Sequence, residues 1–162
     1  MANLNVKAPT SLPAGFISRP LTLGDIPEIV RVANTWAQHY SGRPEGTEEE
    51  ERGELANPKT KLERDSVGLF AGDGNLAAFA CFYDWDEPHA QYGAFMRVLP
   101  DAREADLLRY LVPWALNRAG QSIPGAPPDA RCTLEVEVLA TDEVLPGSCG
   151  RWALPWIGTP GK

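Results

Sequence analysis

Cysteine and histidine are scarce in this sequence, three of one and two of the other among 162 residues. Cys81, Cys132 and Cys149 lie far apart and in no C-x-x-C spacing, which argues against a disulfide framework or a thiolate zinc site. Cys81 and Cys132 fall in strand-like runs, where a buried reduced thiol is expected. His39 and His89 are also far apart, so no metal site is expected. Basic runs are missing as well. With 15 Lys+Arg against 22 Asp+Glu and a net charge of −7, a nucleic-acid backbone would find little to hold. No apolar run approaches the ~18 residues of a membrane span. The start, MANLNVKAPTSLPAG, lacks a basic stretch followed by an apolar one, so no secretory leader is expected. A cytoplasmic protein is the expectation, with no nucleic-acid or membrane partner.

What is present suits one globular domain: 43% apolar and 23% charged residues. Residues 1–14 are a polar lead-in with two prolines. "GFISRPL" is a short strand candidate. Ile26, Ile29, Val30, Ala33, Ala37 and Tyr40 then recur at helical spacing. Asp25 with Glu28 offers a capping box for that helix, and Thr22 with Asp25 a rival start. Thr47 and Glu50 form a second box, and the run Glu48–Glu51 behind it reads as a solvated helix face rather than a cation site. "DSVGLFA", the turn Gly72-Asp73-Gly74-Asn75 and "LAAFACFYDW" form a hairpin, and "HAQYGAFMRVL" (89–99) extends it to a meander. A helix from about Glu104 carries Leu107, Leu108, Leu111, Trp114, Ala115 and Ala119 on one face, with a bend expected at Pro113. "CTLEVEV" alternates strictly and reads as a half-exposed strand. The expected fold is α/β (α+β): a mixed, mostly antiparallel sheet flanked by helices, in the order β-α-α-β-β-β-α-β.

That order, "SRPLTLGDIPEIVRVAN" near the start and "MRVLPDAREADLLRYLVPWALNRA" later resemble the GNAT N-acetyltransferase superfamily over about residues 15–145. In that family the fourth strand leads into a loop of the form Arg/Gln-x-x-Gly-x-Gly/Ala, whose amides hold the pyrophosphate of acetyl-coenzyme A. The resemblance therefore implies that Met96, Arg97 and Val98 border the thioester and pantetheine arm. It also implies that Arg103, Glu104, Ala105, Asp106, Leu107 and Leu108 form the phosphate loop. Arg103 matches the leading Arg/Gln. Asp106 and Leu108 stand where the two glycines belong, so side chains replace bare backbone at both close approaches. Glu104 and Asp106 add negative charge beside a site for an anion.

The resemblance supplies no catalytic residue. The fourth strand offers His89, Gln91 and Tyr92 and no carboxylate, and His89 reads as a surface residue. After Val138 the family continues through a last helix and strand. Residues 146–162, "PGSCGRWALPWIGTPGK", instead form an atypical Pro/Gly/Trp tail without a regular period. A shifted reading frame of permitted codons would spell a helix, a Gly-Phe pair and a strand here, which is how a frameshift would look. The sequence resembles the N-terminal half of a tandem GNAT protein. The readings that stand are an acetyl-coenzyme A-dependent acetyltransferase of an unknown amine, weak or inactive as this chain; a non-catalytic GNAT-fold domain with an assembly or interaction role, or a truncated relic of a longer tandem acetyltransferase; and, carried by no motif, a small-ligand binding domain. An incomplete sheet would favour self-association as a homo-oligomer.

Overall fold

The computed structural model describes residues 11–101, 103–139 and 149–158, with side chains as far as residue 137. Six strands form one sheet whose spatial order is the chain order: β1 (Phe16–Arg19), β2 (Ser66–Ala71), β3 (Leu76–Tyr83), β4 (Gln91–Val98), β5 (Cys132–Leu139) and β6 (Cys149–Gly158). Among them only β4 and β5 run parallel, joined by a helix as parallel neighbours require. Helices α1 (Ile26–Ser41), α2 (Glu48–Leu55) and the four-residue α3 (Leu62–Asp65) separate β1 from β2, and α4 (Glu104–Ser122) crosses from β4 to β5. The expected element order holds as far as β5, with α3 added, a single turn too short to show a helical period; β6 follows β5.

β3, "LAAFACFY", is buried on both faces, because helices cover the sheet on each side. Alternate residues serve opposite layers. Phe70, Leu76, Phe79 and Cys81 meet Ile26, Ile29, Val32 and Ala33 of α1. Ala78, Ala80, Ala94, Met96 and Val98 meet Leu107, Leu108, Leu111, Ala115 and Ala119 of α4. The alanine row lets α4 lie close to the sheet. Cys81 and Cys132 are buried free thiols, and burial pushes the Cys81 thiol up to about 12.

Helix starts follow local chemistry. Thr47 N donates to Glu50 Oε2 (2.9 Å) while Glu50 N donates to Thr47 Oγ1 (3.3 Å), the box expected for α2. Before α1 the rival start is the one used: a 3-10 turn, Leu23–Asp25, with Asp25 Oδ2 accepting from Thr22 N at 2.8 Å. Glu28 then serves elsewhere, accepting from Leu76 N (3.0 Å) and so fastening α1 to the sheet. Gly42 ends α1 at φ 76°, a left-handed cap that suits glycine.

α4 is one helix from Glu104 to Ser122 with Pro113 inside it; Pro113 is half-exposed, while Leu111 and Ala115 on either side of it are fully buried. One expectation needs correction. The segment read as an unpatterned tail contains β6, antiparallel to β5 from Leu139–Cys149 to Cys132–Gly158. An edge strand needs ladder bonds on one side only. Pro155 falls where the register shifts between Leu134–Leu154 and Cys132–Gly158, a bulge that tolerates its missing donor.

Gly68 of β2 marks a close approach. A Cβ there would sit 2.7 Å from Leu21 Cδ2 and from Phe70 Cε2, and 3.1 Å from Leu76 Cδ1. All three neighbours are buried, so Gly68→Ala is expected to lower stability by about 1–2 kcal/mol, read as a lower urea midpoint at unchanged slope.

Candidate functional site

The sheet opens where β4 and β5 part. β4 pairs with β3 from Gly93 to Val98, but its ladder with β5 runs only from Gln91–Thr133 to Phe95–Glu137. Met96, Arg97 and Val98 lie on the far side of that fork. Met96 and Val98 point into the layer under α4, at 0% and 2% exposure. Arg97 points the other way and is equally buried, at 1%.

The chain then turns at Leu99-Pro100-Asp101 into α4. A helix start presents amides without internal partners, and here the chain supplies its own acceptors. Asp101 Oδ1 takes the Arg103 amide at 2.7 Å, and the Asp101 carbonyl takes that of Glu104 at 3.2 Å. Glu104 is buried and accepts from the Tyr40 hydroxyl at 2.6 Å. Burial, with that bond second, raises the Tyr40 hydroxyl well above the usual tyrosine value. Asp106 is exposed and accepts from Arg103 Nε (3.3 Å) and an Arg109 guanidinium nitrogen (3.1 Å). Arg103 also lies 5.2 Å from the Phe16 ring. Ala105 is half-exposed, while Leu107 and Leu108 are buried in the core.

The structure thus gathers the expected residues at one fork and one helix start, with their side chains in three different settings. Met96, Val98, Leu107 and Leu108 are core. Arg103, Glu104 and Asp106 are bonded to groups of this chain. Arg97 belongs to a buried ion-pair cluster that no local pattern announces. Its guanidinium bonds both carboxylate oxygens of Glu45, including Nε to Oε2 at 2.8 Å, and Glu137 Oε1 at 2.9 Å. It also stands 3.8 Å from the centroids of the Trp36 and Phe95 rings. Glu137 had a visible signal, the polar side of "CTLEVEV". Glu45 and Trp36 had none, because nothing local distinguishes a partner some fifty residues away.

Two clefts flank this pair. One, of about 350 Å³, lies over the β4–β5 ladder between Tyr83, Trp85, Tyr92, Phe95, Glu135 and Glu137. The other, of about 330 Å³, lies between α1 and α2, with Val30, Asn34, Glu45, Glu50, Glu51 and Phe95 in its lining. Glu51 was expected on a solvated face. It is half-buried, and burial followed by repulsion from Glu54 and Glu45 pushes its carboxyl up to about 7. His89 is held by Asp84 (Nδ1 to Oδ1, 2.9 Å) and Glu87 (Nε2 to Oε1, 3.1 Å). The bond to Asp84 raises its imidazole above the ordinary value, which favours the protonated form. Tyr92 donates to the His89 carbonyl at 2.7 Å, and Gln91 opens β4 exposed. Among the described residues, no cluster of three His, Cys, Asp or Glu could hold a metal ion, and no helix is long and apolar enough to cross a membrane.

No family model matches the chain, and no curated protein matches its sequence. Solved structures do match. A GCN5-related N-acetyltransferase from Sphaerobacter thermophilus aligns over 83% of this chain at 25% identity and a TM-score of 0.72. The chain spans only 41% of that protein's length. A GCN5-related N-acetyltransferase from Kribbella flavida aligns at 20% identity over 76% of this chain and 71% of its own, with a TM-score of 0.55. A Salmonella typhimurium protein solved with its cofactor acetyl-CoA aligns at 12% identity over 76% of this chain and 70% of its own, also at 0.55.

Proposed function

We propose that the chain is a GNAT-superfamily domain that keeps the N-acetyltransferase fold without the cofactor chemistry, serving as a non-catalytic domain of a longer protein or assembly. One observation carries this reading: the start of α4 is closed by the chain itself. A pyrophosphate bound there would have to displace Asp101 from the Arg103 amide. It would also meet carboxylates at Glu104 and Asp106, while the nearby arginines Arg103 and Arg109 are both bonded to Asp106. Negative side chains in a first turn stabilise the helix by about 0.3–1 kcal/mol each and compete with an anionic ligand for the same field. Glycine is absent where backbone would need to approach phosphate. The residues present do not fit acetyl-CoA as a ligand held through its phosphates.

A second reading rests on the fork. The β4–β5 ladder stops at Phe95–Glu137, which leaves the β4 backbone from Met96 to Val98 without a β5 partner. An acyl-pantetheine arm held there would make the chain an acyltransferase that dispenses with phosphate contacts, acting on an amine.

Calorimetric titration of acetyl-CoA into the purified chain at low salt separates the two. The first reading expects no heat at millimolar ligand. Micromolar binding, about −8 kcal/mol, would overturn it. Equal binding of S-acetylpantetheine, which lacks the nucleotide, would then favour the second.

A further inference from the structure

We propose that Trp36, Phe95, Glu45 and Glu137 form a preformed guanidinium-binding cage beside the β4–β5 fork, and that Arg97 is its intrachain occupant. None of the cage walls belongs to the start of α4, so the inference does not depend on whether that helix start binds a phosphate.

The occupant is bound as a ligand would be. Its side chain has no exposed surface. Glu45 takes it through two oxygens, Glu137 Oε1 takes a terminal nitrogen at 2.9 Å, and the Met96 carbonyl takes the other at 3.0 Å. Both rings stand at 3.8 Å, within cation–π range. A planar fork that is bidentate to a carboxylate and stacked on rings is a geometry that an ammonium cannot reproduce.

The walls are held by contacts that do not involve Arg97. Asn34 Oδ1 accepts from the Glu45 and Gly46 amides at 2.8 and 3.0 Å, and its Nδ2 donates to the Gly46 carbonyl at 3.0 Å. That fixes the loop carrying Glu45. Trp36 is 7% exposed in α1 and its ring packs tilted against Tyr40, 5.4 Å between centroids. Phe95 packs 6.1 Å from Phe79. Glu137 is the ladder partner of Phe95, so the sheet itself sets its place.

The cage also has approaches. Glu45 and Phe95 line the cleft between α1 and α2, and Phe95 and Glu137 line the cleft over β5. With Arg97 in place the cage is full. Without it, the site is lined by two carboxylates and two rings and is bordered by both clefts, and the ligand it would take is an alkylguanidinium.

The test is chemical rescue. Arg97→Ala is titrated with ethylguanidinium, against ethylammonium and sodium chloride at matched ionic strength, and thermal melts are followed by circular dichroism. For a Kd of about 1 mM, about 20 mM ligand should raise the folded-to-unfolded ratio roughly twentyfold. Wild type should show no such gain, and adding Glu45→Gln to the variant should abolish it. If Arg97→Ala is unfolded alone, the same titration is read as helical signal recovered. Equal rescue by ethylammonium, or none by ethylguanidinium, would overturn the assignment.

Discussion

Leu108→Gly is expected to destabilise the domain by about 3–6 kcal/mol, enough to consume most of the 5–15 kcal/mol typical of a folded domain. Leu108 is 1% exposed and packs with Met96, Val98 and Leu111 in the layer between α4 and the sheet. Truncating a buried leucine to alanine costs about 2–5 kcal/mol through lost transfer energy and the cavity left behind. Glycine in a helix interior adds about 1 kcal/mol more. Asp106→Gly, on the exposed side, should lose only that propensity and two half-exposed ion pairs, so about 1 kcal/mol. Urea titration of the two single variants distinguishes them directly. A cost below about 1 kcal/mol at Leu108 would mean that its side chain is not core. The expected asymmetry has a functional side: of the two positions that the resemblance aligns with loop glycines, Leu108 is part of the core, so placing glycine at both should cost the fold most of its stability.

Asp65→Ala should cost about 3–5 kcal/mol, because it strands a buried guanidinium. Asp65 is 4% exposed at the end of α3 and accepts from Arg118 Nε at 2.8 Å and from Arg64 Nε at 2.9 Å. Arg118, on α4, is 5% exposed and lies 4.6 Å over the Phe82 ring. Without Asp65, Ser122 Oγ at 2.9 Å remains as its bonded side-chain acceptor. Burial by itself would raise the Asp65 carboxyl, but the bonds from Arg64 and Arg118 outweigh it and hold the group below its ordinary 3.8. A carboxyl depressed on folding contributes stability above its unfolded value and loses that contribution as pH falls through its folded one. The gap in urea midpoint between wild type and Asp65→Ala should therefore be full at neutral pH. It should shrink as pH falls below 3.8. A gap that stays constant into acid would show that the pair is not what the substitution removes.

How far the sequence reached depends on how local each cause is. The Thr47–Glu50 box, the Gly72–Gly74 hairpin and the leucine face of α4 each lie within a few residues, and all are where pattern placed them. The alternation of "CTLEVEV" likewise foretold which residues of β5 face the core. What escaped was pairing at a distance. Arg97, Asp65 and Arg118 are charged residues, which a linear reading assigns to solvent; each is buried because its partner arrives from some forty to fifty residues away. β6 escaped for a related reason: it is held by the backbone of β5, and backbone pairing leaves little periodicity at an edge. The resemblance supplied the location of the fork and the α4 start. It did not supply the role of Asp101, a residue outside the family's motif that occupies the helix end.

The order of the sheet bears on how the chain is made. Among the described residues each strand lies beside the one before it, and none is inserted between earlier ones. During vectorial synthesis each of these strands after the first therefore emerges next to a partner already made, so the sheet can grow outward from one edge.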